Sequence, residues 1–261
     1  MPSIHKSAIV EDGAVIKKGA KIGAYTFISS KATIGENVQV MQGAQVCNKT
    51  TIGKNTKVFP YAMVGANPQD LKYKDGQDTA LEVGENSIIR EFVTINTGTI
   101  GGGGLTRVGS NVLIMNYCHI AHDCILGDNA ILANNATLAG HVEVGDFVVI
   151  GGLTPIHQFV KIGEGCMVAG ASALNQDLPP FCLAEGNRAM IKSLNLTGLR
   201  RRFDKEDINE LKTAFNSLFR SKKPLRENAQ NIFETSQNEK VKKMCEFILN
   251  TKRGIPYERK V

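Results

Sequence analysis

The 261-residue chain contains no apolar run long enough to cross a bilayer, which excludes a transmembrane helix of about 20 residues. Nothing at its N-terminus resembles a signal peptide, so a cytoplasmic protein without stable membrane insertion is expected. The six cysteines, Cys47, Cys118, Cys124, Cys166, Cys182 and Cys245, lack metal-ligand or disulfide spacing, and read as packing thiols in a reducing compartment. Histidine is scarce too, with five in all. Charge is unevenly divided: eighteen Lys and Arg face nine Asp and Glu from residue 187 onward, against thirteen and sixteen before it. The basic end suits an acidic or phosphorylated partner, although a solvated helical face would look the same. No nucleic-acid partner is expected.

What the chain has instead is a period. A small or short residue is followed two places later by Val or Ile ten times in succession, at Val10, Ile16, Ile22, Ile28, Ile34, Val40, Val46, Ile52, Val58 and Val64. The rhythm returns at Val83, Ile89 and Ile95, then runs from Val108 through Ile114, Ile120, Leu126, Leu132 and Leu138 to Leu174. Six residues fit neither a helix nor a simple strand, but they are the hexapeptide signature of a parallel β-helix. Three hexapeptides close a triangular coil, so residues about eighteen apart lie one above the other. Cys118, Cys124 and Cys166 occupy the small position of this unit.

The phase also locates two insertions. Val64 to Val83 and Ile95 to Val108 are each one residue more than a multiple of six, which places excursions near 66–80 and 98–106. A regular solenoid gains nothing from loops, so these are candidate functional segments, with a tolerated surface insertion as the plainer reading. Asp177-Leu178-Pro179-Pro180 marks the exit from the solenoid, which is assigned to 1–186. An α-helical domain is expected over 187–261: one helix from an Asp204 cap through Phe219, one from Pro224 through Ile232, and one capped by Ser236.

Four of the histidines, His119, His122, His141 and His157, fall late in the solenoid. Steps of eighteen give one vertical file His122, Gly140, Gln158 and a second file Asp123, His141, Phe159. A histidine can act as general base on a hydroxyl or amine, and a facing glycine can bring its N–H to a developing oxyanion. Histidines on a solenoid wall can equally be plain surface residues. A metal site is the other rival, since gamma-class carbonic anhydrases hold zinc with three histidines on a hexapeptide fold. The spacing of His119, His122 and His141 does not resemble that arrangement, and no metal is expected.

The string His119-Ile120-Ala121-His122-Asp123-Cys124, the run from Ile131 to His141, Pro68-Gln69-Asp70-Leu71-Lys72-Tyr73, Ile156-His157-Gln158-Phe159 and Gly186-Asn187-Arg188 together resemble the UDP-N-acetylglucosamine O-acyltransferases, the first enzymes of lipid A synthesis. The resemblance covers nearly the whole chain. It implies a left-handed coil and a homotrimer with active sites between subunits. It further implies transfer of an (R)-3-hydroxyacyl group from acyl carrier protein to the 3-position of UDP-N-acetylglucosamine. On the same basis His122 is the catalytic base, Gly140 the backbone oxyanion donor, and Asp123 and His141 active-site support. Asp70, Lys72, Asn96, His119, His157, Gln158, Asn195 and Arg201 become substrate contacts, and Gly170 leaves room for a long acyl chain. No bound cofactor is implied, because 4'-phosphopantetheine arrives on the donor protein. The Arg200-Arg201-Arg202 run would steer that acidic partner, and high salt would weaken the effect.

The chain departs from the family at Thr94-Ile95-Asn96-Thr97-Gly98-Thr99, where many members read Thr-Ile-His-Arg-Gly-Thr, and at Thr197, where Glu is common. The first change raises a 3-amino sugar nucleotide, and an amide product, as an alternative acceptor reading. Two further alternatives are the later N-acyltransferase of the pathway, whose extra N-terminal domain has no room before Ala8, and a non-catalytic hexapeptide scaffold.

Overall fold

A computed structural model describes residues 1–258. Most hexapeptides form a two-residue strand, such as His119–Ile120 or Ile125–Leu126, followed by a tight corner. The aliphatic second residue of the strand points inward. As far as Met167–Val168, successive strands enter three sheets in rotation as parallel neighbours, giving a left-handed β-helix whose sheets hold eleven, eight and eight strands among the described residues. Ile28, Ile34, Ile52, Ile89, Ile95, Ile114, Ile120 and Leu138 are fully buried and fill the prism. Each such side chain contributes about 1.5–3 kcal/mol of burial.

The corners explain how a chain of L-residues makes this turn every six positions. One residue at nearly every corner adopts left-handed backbone angles, including Asn37, Asn55, Tyr61, Asn86, Phe92, Asp123, His141 and Phe159, all near φ +60°. Asparagine and aspartate tolerate this region better than most. Where asparagines stack they also bond, Asn37 to Asn55 at 3.3 Å and Asn55 to Asn86 at 3.0 Å. On another edge the stack is aromatic, Tyr61 on Phe92 on Tyr117, with ring centroids 5.5 and 5.1 Å apart.

Register shows where the chain leaves the coil. His119 pairs with Thr137, eighteen residues on, but Met63 pairs with Thr94 and Thr94 with His119. Extra residues therefore sit between Ala66 and Ala80, and between Asn96 and Leu105. Both excursions leave from the second sheet and return to the third. They share one edge of the prism.

The far end differs from the sequence expectation in three places. Ile162 bridges Leu178 and Val168 pairs Ala184, so the last coil is shortened rather than absent after Leu174. Residues 187–194 are not helical: Met190–Leu194 runs antiparallel to Cys182–Glu185 and extends the first sheet. Helices begin only with α1 (Leu196–Arg200), capped by the Asn195 side chain, then α2 (Lys205–Arg220), α3 (Leu225–Thr235) and α4 (Glu239–Asn250). Asp204 caps α2 as its sequence position predicts, but Asn238 rather than Ser236 caps α4. Ser236 instead closes α3, and its hydroxyl accepts the Asn238 N–H.

Ile208, Leu211, Phe215 and Leu218 of α2 pack with Val241, Met244, Cys245 and Ile248 of α4. Asp177 ties the end of this bundle to the solenoid, accepting from the Lys161 N–H at 2.9 Å and the Thr251 hydroxyl at 2.6 Å. Among the described residues no helix is long and apolar enough to cross a membrane.

Candidate active site

The edge between the second and third sheets carries most of the candidate residues. His122 and Asp123 form its corner in one coil, and Gly140 with His141 the corner of the next. The His141 N–H bonds the His122 carbonyl at 3.0 Å, and the Phe159 N–H the Gly140 carbonyl at 3.1 Å. Both files expected from steps of eighteen therefore stand. His141 meets His122 edge-on, with centroids 5.1 Å apart, and stacks on Phe159 at 4.4 Å.

Asp123 is the most enclosed of these groups, its side chain 1% exposed. One carboxylate oxygen accepts the Thr99 N–H at 2.8 Å; the other accepts the Thr99 hydroxyl at 2.6 Å and His122 Nδ1 at 2.7 Å. An ionised carboxylate only accepts, so His122 carries its proton on Nδ1 and leaves the Nε2 lone pair free. That free nitrogen faces Gly140. Among the described residues the Gly140 N–H has no acceptor.

His122, Asp123 and His141 could also present ligand atoms within 4.8 Å of one another to a cation. The hydrogen bonds from Thr99 and His122 already occupy both Asp123 oxygens. His119, the third histidine of the metal reading, is engaged elsewhere, with its Nδ1 2.7 Å from the Thr94 hydroxyl. Burial, and then the nearby His122, hold the His119 pKa below its usual value, so its ring is neutral near pH 7.

The first insertion leaves from the same edge. Asn96, buried beneath it, donates from Nδ2 to the Asn67 carbonyl at 2.9 Å, and its Oδ1 has no partner. Asp70 accepts the Lys72 N–H at 2.9 Å, which sets the turn at the tip and leaves the Lys72 side chain exposed. His157 and Gln158 are exposed at the corner above Gly140, with Arg253 Nη2 3.2 Å from His157 Nδ1.

Three candidates lie elsewhere in the chain. Gly170 stands over Gly152 on the edge between the first and second sheets. Asn195 donates to the Gly165 carbonyl at 3.0 Å on the remaining edge, and Arg201 ends α1 nearby. Of the arginine run, Arg200 and Arg201 are exposed, whereas Arg202 is half-buried with its guanidinium 4.7 Å from the Phe147 ring centroid. Two of the three arginines are therefore free to meet a partner.

Thr99, Gly102, Thr106 and Thr94 were not among the sequence candidates. Thr99 and Gly102 lie in the second insertion, where the six-residue phase is lost and stacking arithmetic cannot pair them, while Thr94 and Thr106 flank it in the phase of Ile95 and Val108. The insertion itself was the available signal.

A model of the UDP-N-acetylglucosamine O-acyltransferase second domain matches residues 177–256, and a six-repeat bacterial transferase hexapeptide model matches 105–140. The chain is 63% identical over 256 residues to the acyl-[acyl-carrier-protein]–UDP-N-acetylglucosamine O-acyltransferase of Campylobacter lari, covering 98% of this chain and 97% of that protein. The solved UDP-N-acetylglucosamine acyltransferase from Campylobacter jejuni is 60% identical, with a TM-score of 0.95, covering 98% of this chain and all of that one. The Francisella novicida enzyme, 34% identical, superimposes with a TM-score of 0.94 over 98% of this chain and 94% of its own. With its repeats, its helical end and its histidine edge all accounted for, the chain belongs to the acyl-[acyl-carrier-protein]–UDP-N-acetylglucosamine O-acyltransferase family.

Proposed function

We propose that this protein transfers an (R)-3-hydroxyacyl chain from acyl carrier protein to the 3-hydroxyl of UDP-N-acetylglucosamine, the first step of lipid A synthesis. The observation that carries this is the Asp123–His122 pair with its free Nε2 turned toward Gly140. His122 Nε2 takes the proton of the sugar hydroxyl as its oxygen attacks the thioester carbonyl. The carbonyl electrons move onto oxygen, and the Gly140 N–H donates a hydrogen bond to the oxyanion that forms. Collapse breaks the C–S bond, and the imidazolium returns the proton to the departing thiolate. Asp123 holds the ring and offsets the positive charge it gains in between.

Asp70 and Lys72 on the first insertion, with Asn96, His119, His141, His157 and Gln158, are read as substrate contacts. The first-insertion tip, Asn96 and the four others lie on or beside the His122 edge. Gly170, Asn195 and Arg201 sit on the other two edges, so they reach a His122 site from a neighbouring copy. That distribution supports a homotrimer with sites between subunits. Six free cysteines support a reducing, cytoplasmic setting. The O-acyltransferase names of the relatives favour the hydroxyl acceptor over the 3-amino analogue, the later N-acyltransferase and the inert scaffold.

The test is an acyl-transfer assay with acyl carrier protein donors of several lengths and both acceptors. Ester formation on UDP-N-acetylglucosamine, with long chains preferred, is expected. Absence of transfer to either acceptor would overturn the proposal.

A further inference from the structure

The second insertion is tied to the sheet ladder at its two ends, where the Gly98 N–H bonds the Ala80 carbonyl at 3.1 Å and the Gly104 carbonyl accepts the Ala80 N–H at 2.8 Å, and residues 99–103 between them lie outside the ladder. It folds into a single 3-10 turn, Ile100–Gly102, capped by Thr99 in front and by left-handed Gly103 behind. Both of its ends close on Asp123. At the front, the Thr99 N–H and hydroxyl donate to the two carboxylate oxygens. At the back, the Thr106 hydroxyl accepts the Asp123 N–H at 2.8 Å, holding the residue at its left-handed φ of 60°.

The Thr99 hydroxyl has one proton to give. It accepts the Gly102 N–H at 3.1 Å, which leaves that proton pointing at Asp123. The result is one polarised chain: Gly102 N–H to Thr99 hydroxyl, hydroxyl to carboxylate, and carboxylate from the His122 Nδ1–H. Steric fit agrees. A Cβ on Gly102 would collide with the Asp123 carboxylate, whereas one on Gly101 or Gly103 would meet nothing within 4 Å.

We propose that the second insertion is a clamp whose Thr99 hydroxyl and side-chain-free Gly102 position the Asp123 carboxylate, and through it the tautomer and aim of His122. The clamp rests on the acyl-transfer reading for its purpose, but its geometry can be tested without turnover. Thr99 does not touch the imidazole, so it is a positioning residue. The groups facing His122 are Asp123, His141 and, more distantly, His119.

Removing the hydroxyl leaves more of the Asp123 charge unbalanced beside His122, which favours the imidazolium. Thr99→Val is therefore expected to lower kcat by roughly ten- to a hundredfold, the range of a hydrogen bond to a charged group. The acid limb of its pH profile should move to higher pH, with KM for both substrates unchanged. Thr99→Ser should restore both, Gly102→Ala should lose activity, and Gly101→Ala should match the parent. Independently of turnover, the downfield imidazole N–H proton resonance of His122, identified by its loss in His122→Ala, should shift in Thr99→Val and return in Thr99→Ser.

A Thr99→Val protein with parental kcat, pH profile and proton resonance would overturn the clamp. So would Gly101→Ala and Gly102→Ala proteins that behave alike, a comparison that decides the matter even if Thr99→Val fails to fold. If the parent forms no ester, the acyl-transfer reading falls, while the resonance still decides the clamp.

Discussion

Gly140 lies directly against the ring of His122: a Cβ at that position would stand 2.6 Å from Cε1 and 2.8 Å from Nε2. The contact joins corners of successive coils, so the absence of a side chain at 140 is a requirement of the site rather than of the turn. Gly140→Ala should fold normally, since its backbone angles are not in the left-handed region. The methyl group would push the imidazole outward, away from the oxyanion position. We expect kcat to fall about 10²-fold or more, with a melting temperature within a few degrees of the parent. Kinetics alongside thermal unfolding checks both.

Asp123→Asn tests the tautomer. An amide nitrogen in place of the oxygen that now accepts from His122 would offer that ring a donor, forcing the proton onto Nε2 and removing the base. The expected loss in kcat is ~10²- to 10⁴-fold, measured with the fold monitored by circular dichroism. Turnover at the parental rate would contradict the tautomer assignment.

The stability of the coil can be probed next to the site. Ile120 is fully buried between Ile95 and Leu138 in the same column. Ile120→Ala should cost about 2–5 kcal/mol, the range for emptying a packed core position. Denaturant unfolding reads this directly, and a loss below about 1 kcal/mol would mean that the column collapses around the gap.

The thiols give a prediction about pH. Burial raises the pKa of Cys118 to about 11, of Cys124 to about 12 and of Cys245 to about 11, and raises Cys47, Cys166 and Cys182 as well. Only the thiolate reacts, so at pH 8 the reactive fraction of Cys118, Cys124 or Cys245 is on the order of a thousandth or less. Iodoacetamide at that pH should label the native protein slowly, and the unfolded protein at all six positions. Fast labelling of Cys118 or Cys124 in the native state would show that the prism opens.

The inward residues and the two vertical files were legible because a strict period turns sequence distance into height: Asp123, His141 and Phe159 needed only addition. The left-handed corner residue, three places after most inward aliphatics, was similarly periodic at Tyr25, Asn37 and Asn55, and could have been read the same way. Thr99 could not be paired with Asp123 in advance. The two are twenty-four residues apart across an insertion whose length inside the coil is visible only in the register. At the helical end the signals are local and compete. Ser236 and Asn238 are both good caps, and the chain uses Asn238 because Ser236 is still closing the previous helix. The strand Met190–Leu194 was hidden because it runs antiparallel, outside the six-residue rhythm.

The most direct measurement is single-turnover acyl transfer by His122→Ala, with circular dichroism and molecular mass confirming the parental fold and assembly. A loss of ~10²- to 10⁴-fold in the chemical step is expected from removing the general base. A well-folded His122→Ala protein that transfers acyl groups at the parental rate would contradict the assignment of His122, and with it the roles given to Asp123 and Gly140.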